Sequence, residues 1–99
     1  MKLIHKMIEH IEEELEGAKE YAEKYIDCKA RGNTTRASKY SEMATDELKH
    51  AVYIKDFAVA DIEDIKKVYK LSVEDEEKWE HAHKKFAECM AIVKHMLSM

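Results

Sequence analysis

Two side chains of types that bind metal ions stand three residues apart in the run SEMATDELKHAVYIKDF, residues 41–57. They are the carboxylate of Glu47 and the imidazole of His50. On an α-helix this spacing places both groups on one side, one turn apart, where they can reach a single ion. Carboxylate oxygens with a minority of imidazole nitrogens suit iron or manganese better than they suit thiolate-preferring ions. The run therefore indicates a metal site, if another element supplies further ligands.

The elements that would position these groups are predicted to be helices. The chain has 99 residues, no proline, two glycines and 38% charged residues of both signs. This length favours a single domain, and this composition favours an all-α fold. Apolar residues recurring with a 3.6-residue period predict three helices, over about residues 2–30, 35–69 and 73–97.

Local signals predict where these helices start and stop. The triplet RGN ends the first helix, and Thr34 or Thr35 is the predicted cap of the second. Ser72 followed by acidic residues predicts the start of the third. Because the break around Leu71 is short, the second and third helices are expected to be neighbours or near neighbours.

The first predicted helix offers a carboxylate that matches Glu47. At about 100° per residue, Met7 and Ala18 lie within about 40° of Glu14, so Glu14 falls inside an apolar stripe. Glu47 and His50 fall on the core side of the second helix by the same calculation. Folding the chain back at RGN brings the two carboxylates to positions that differ by about 6 Å along the helix axis. Buried carboxylates must become protonated, pair with cations or bind metal, so the hairpin is predicted to assemble half of a metal site.

The other half is predicted to come from a second copy of the chain. Di-iron carboxylate bundles use two Glu-x-x-His motifs and one Glu from each of two further helices. One chain supplies half of this set, and a two-fold homodimer supplies all of it. Such a donor set suits Fe or Mn.

A resemblance to a known family makes this prediction more specific. The stretch EEELEGAKEYAEKY, followed by DELKH, resembles the ferritin-like superfamily and is most similar to the encapsulated ferritins. The likeness covers the first two predicted helices and extends weakly to EKWEHAH in the third. It implies a ferritin-like four-helix bundle completed by dimerisation, in which Glu14, Glu47 and His50 bind iron at a two-fold interface with Tyr21 nearby. The predicted cofactor is therefore Fe, two ions per dimer, with Mn or Zn as substitutes. The resemblance also implies a ferroxidase, an oxidoreductase that oxidises Fe(II) with dioxygen, a role in iron storage, and assembly as rings of dimers.

Two departures from related patterns limit what the resemblance implies. Encapsulated ferritins carry a C-terminal tail that docks inside a protein shell, whereas KHMLSM directly follows the third predicted helix and no docking tail is recognisable. Rubrerythrins share the same signatures, but their second Glu and Glu-x-x-His half and their C-x-x-C iron domain are missing here.

Other residues with metal-binding chemistry have less telling positions. A second Glu-x-x-His pair, Glu80 and His83, lies among charged residues and is predicted to be a solvated face. His10 stands one turn before Glu14, either as its partner or as a partly exposed histidine. Tyr21 fits core packing as well as a redox role.

An alternative function is a non-catalytic helical oligomer, an adaptor or scaffold, whose buried Glu and His set the register of association. Nucleic-acid binding is not expected, since the basic residues form no stripe. No apolar run approaches the roughly 20 residues of a membrane span. The two cysteines, Cys28 and Cys89, have no C-x-x-C spacing and are read as thiols of a cytoplasmic protein.

Overall fold

Three α-helices account for nearly the whole chain, and the computed structural model describes residues 1–99. They are α1 (Lys2–Ala30), α2 (Thr34–Val68) and α3 (Val73–Ser98). The prediction of an all-helical fold is confirmed, and the observed bounds lie within one residue of the predicted ones. The molecule measures 55 × 18 × 18 Å, so the helices share one long axis.

The connection between α1 and α2 is a tight turn with a different cap from the predicted one. Gly32 has a φ of 77°, a left-handed conformation that glycine adopts without the strain of a Cβ. The side chain of Asn33 accepts a hydrogen bond from the Arg36 backbone N–H at 3.2 Å. Asn33 therefore caps α2, and Thr34 is its first helical residue. The predicted cap, Thr34 or Thr35, is one or two residues too late because Asn serves as well as Thr at this position.

The third helix runs parallel to the first. The Met1 amine pairs with Asp75 at the start of α3, and Lys29 near the end of α1 donates a hydrogen bond to the Met99 carbonyl oxygen. Ser72 caps α3 as predicted, accepting a hydrogen bond from the Asp75 N–H at 3.1 Å. α3 packs mainly against α1 and touches α2 at few positions. The two helices that carry the predicted ligands therefore form an antiparallel pair, and α3 lies along one side of it.

The core is thin and lined by small residues where α1 meets α2. Ala18, Ala22, Ala44 and Ala51 are fully buried, which lets the two helices approach closely. Because only 17 of 99 residues are buried, many apolar side chains stay on the surface. On α2 these include Met43 (40% exposed), Tyr53 (60%) and Phe57 (68%). One long face of the α1–α2 pair is thus left partly apolar and uncovered.

Candidate metal centre

Close packing of α1 against α2 brings the three predicted ligands together. Glu14 projects from the middle of α1, and Glu47 and His50 project from the middle of α2. Each offers one ligand atom, and these three atoms lie within 4.8 Å of one another. The imidazole Nδ1 of His50 is 3.7 Å from Glu14 Oε2 and 3.7 Å from Glu47 Oε1. The sequence therefore predicted which three groups meet, although they lie on two different helices.

These separations fit a bound transition-metal ion. An ion about 2.1 Å from each nitrogen and oxygen ligand needs its donors about 3 to 4 Å apart. The His50 distances fall in that range, so small side-chain movements suffice to close the group around an ion. No other group of three His, Cys, Asp or Glu side chains comes as close together in this chain.

The carboxyl groups of Glu14 and Glu47 are close enough to affect each other's ionisation. The pKa of Glu47 is raised, first because a hydrogen bond with the Glu14 carboxyl favours its protonated form, and then because of its burial. The negative charge of Glu14 acts in the same direction, whereas His50 opposes the shift. Two carboxylates held this close resist being ionised together, and a cation between them relieves that repulsion. The site thus favours a positive ion.

A glycine makes room for one of these carboxylates. Gly17 lies one turn after Glu14 on α1, and a Cβ placed there would stand 3.2 Å from Oε2 of Glu47. This contact is tighter than ordinary van der Waals packing. The sequence prediction did not include Gly17, although an isolated glycine inside a strongly helical pattern often marks a packing or functional need.

The site lies at the surface of the α1–α2 pair. The side chains of Glu14 and Glu47 are 22% and 26% exposed, and that of His50 is 53% exposed. The sequence placed His50 on the core side, but it stands at the outer rim because α1 and α2 alone do not cover this face. His10 also lies beside the site, with Nε2 3.8 Å from Glu14 Oε1 and a side chain that is 56% exposed.

The third helix takes no part in the site. The side of α1 that faces α3 carries Glu12, Leu15 and Lys19, about 100° to 160° around the helix from Glu14. Glu80 and His83 on α3 are exposed and do not join the ligand group. The solvated face predicted for this second Glu-x-x-His pair agrees with these positions.

Two tyrosines pack between α1 and α2 farther along the same pair of helices. The rings of Tyr21 and Tyr40 are stacked with centroids 6.2 Å apart. The Lys24 ammonium lies 6.0 Å from the first ring centroid and 5.6 Å from the second. Tyr21 therefore has a definite packing role, and the Tyr40 and Lys24 contacts were not part of the sequence prediction.

None of the three helices is both long enough and apolar enough to cross a membrane.

Comparisons of the chain with protein-family models, with curated protein sequences and with solved structures find no match. Its function must therefore be inferred from its residues and their geometry.

Proposed function

We propose that this chain is an iron-binding, ferritin-like protein that oxidises Fe(II) to Fe(III) with dioxygen at a di-iron site formed between two chains. The observation that carries the proposal is the meeting of Glu14, Glu47 and His50, whose ligand atoms lie within 4.8 Å of one another. Two carboxylates and one imidazole form a hard donor set that suits iron.

Fe(II) is the substrate of the proposed reaction, and each ion gives one electron to dioxygen. The chain's own residues bind and orient the ions. The charges of Glu14 and Glu47 partly neutralise the bound ions, and the ions in turn relieve the repulsion between the two carboxylates. His50 faces one oxygen of each carboxylate, so it can complete the ligand set from the rim.

A second chain is needed to hold two ions. One chain offers two carboxylates and one imidazole, which leaves most coordination positions of two ions unfilled. A two-fold axis beside the open face doubles the set and lets the partner cover the apolar side chains of that face, including Met43 and Phe57. The product of this association is a four-helix bundle around the site, either as a homodimer or within a ring of dimers.

The same apolar face also supports the alternative function. Exposed Met43, Tyr53 and Phe57 can drive association without any metal. In a scaffold or adaptor of this kind, the crowded carboxylates would set the register of the helices. Iron content and oxidation distinguish the two functions.

The deciding experiment adds Fe(II) in air to metal-free protein and follows the ferric absorbance. We expect oxidation much faster than in protein-free buffer and about one iron per chain, since two ions are shared by two half-sites. The Glu80→Ala variant is the matched control, because it alters an exposed Glu-x-x-His pair outside the site.

Sedimentation of the metal-free protein, with and without anaerobic Fe(II), tests the shared site. Metal that binds only the paired state must strengthen pairing. An associated protein that takes up no iron favours the scaffold, and a monomer that binds two ions tightly contradicts a site between chains.

A further inference from the structure

Gly17 stands out as the one glycine inside a helix of this chain. Its backbone does not have the positive φ that calls for glycine, because Gly32 is the residue with that conformation. Glycine in a helix interior is less favourable than alanine, since it loses more backbone entropy on folding. Conformation therefore gives no reason for glycine here, and the remaining reason is close approach of another group.

The group that approaches Gly17 is the side chain of Glu47. The three atoms nearest to a Cβ built on Gly17 all belong to Glu47: Oε2 at 3.2 Å, Cδ at 3.7 Å and Cγ at 3.9 Å. No backbone atom of α2 is among them. The missing methyl group thus makes room for one carboxylate, rather than for the packing of one helix backbone on another.

We propose that Gly17 is a positioning residue for the metal site: it keeps open the space on α1 in which the Glu47 carboxylate lies beside Glu14. This inference rests on the proposed metal-binding function and adds a residue to it. With Oε2 against Gly17, Oε1 is turned toward His50, 3.7 Å from its Nδ1. A side chain at residue 17 would push the carboxylate by a few tenths of an ångström or more and spoil this alignment.

The proposal predicts opposite effects of Gly17→Ala on stability and on metal binding. The metal-free variant should unfold at a temperature about 4 °C higher, because alanine is the better helix former. Its affinity for Fe(II), measured by anaerobic titration, should fall about tenfold, the size of loss typical when a group that orients a ligand is changed. A purely structural glycine would not separate the two effects in this way.

A matched control comes from Ser38, an exposed helical residue about 180° around α2 from Glu47. Ser38→Ala also improves helix propensity and should leave Fe(II) affinity unchanged. Gly17→Leu, with a larger side chain on a good helix former, should weaken Fe(II) binding more than Gly17→Ala does. Sedimentation of metal-free Gly17→Ala should match the wild type, and a loss of association would overturn the proposal by placing Gly17 at a contact between chains.

A metal-free double-mutant cycle tests the contact independently of iron. Gly17→Ala should raise the unfolding temperature more in a Glu47→Ala background than in the wild type, because the crowded carboxylate is then absent. Equal rises, or equal Fe(II) affinity of Gly17→Ala and the wild type, would overturn the positioning role. If the wild type itself binds no iron, the proposed function fails, and the cycle still decides whether Gly17 makes room for Glu47.

Discussion

Two carboxylates of this chain, Asp75 and Glu47, have opposite surroundings. Asp75 lies in the first turn of α3, where Oδ2 accepts a hydrogen bond from the Met1 amine at 2.7 Å and Oδ1 is 3.4 Å from His5 Nε2. The hydrogen bond from that amine is the main reason why the pKa of Asp75 is lowered. The pKa of Glu47 is raised, chiefly because its nearest strong partner is another carboxyl, that of Glu14.

The difference separates a carboxylate whose charge is compensated within the fold from one that, under the proposed function, binds a cation. The ionised form of Asp75 is stabilised by groups of the protein itself and by its place at a helix start. Ionised Glu47 lacks such compensation and is stabilised only by His50. A carboxyl whose pKa is shifted by a specific neighbouring group is a common mark of a functional site.

The largest expected effect is on metal binding. Glu47→Ala and His50→Ala should each weaken anaerobic Fe(II) binding by more than about 100-fold, because each removes a direct ligand rather than a supporting group. Helix content measured by circular dichroism should not change, since neither side chain belongs to the buried core. Asp75→Asn and Glu80→Ala should bind Fe(II) like the wild type. An equal loss of Fe(II) affinity in Asp75→Asn would contradict the different roles given to Asp75 and Glu47.

The helices and the meeting of the three candidate ligands could be predicted from the sequence because both depend on short-range periodicity. The 3.6-residue pattern placed Glu14 on one apolar stripe and Glu47 with His50 on another, and a single turn at RGN then brought them to similar heights. Helix geometry fixes these relations within a few ångströms. In the structure, the candidate ligand atoms of these three residues lie within 4.8 Å of one another.

Other features depend on packing between helices and could not be read in the same way. The rim position of His50 depends on which face α3 covers, and α3 packs mainly against α1. Likewise, the contact of Gly17 with Glu47 depends on the distance between α1 and α2, which small buried residues such as Ala18 and Ala51 set. The Asn33 cap was a different kind of miss, because several residue types cap helices equally well.

The second prediction concerns Asp75 and the stability of the fold. A lowered pKa in the folded state means that ionised Asp75 stabilises the protein above its ordinary pKa of 3.8 and loses this contribution as pH falls through the lower folded value. Asp75→Asn should therefore lower the unfolding temperature at pH 7. The difference between the unfolding temperatures of the wild type and the variant should become smaller as the pH falls below about 3.8. If this difference in unfolding temperature does not depend on pH, the charge of Asp75 contributes nothing to the stability of the fold.

The third and smallest effect should have the opposite sign, and it concerns Glu47 in the metal-free protein. Because its folded pKa is raised above the ordinary value of 4.5, its contribution to stability is fully present below pH 4.5 and is lost as pH rises through the folded value. Glu47→Gln keeps the shape of the side chain and removes its charge. The free energy of unfolding of this variant should equal that of the wild type near pH 4. At pH 7 it should be higher than that of the wild type, by no more than about 1 kcal/mol for a partly exposed group. Urea unfolding at the two pH values measures this difference. Saturating Fe(II) should reverse the order at pH 7, since only the wild type gains stability from a bound ion. A glutamine variant that is less stable than the metal-free wild type at pH 7 would show that Glu47, like Asp75, serves the fold.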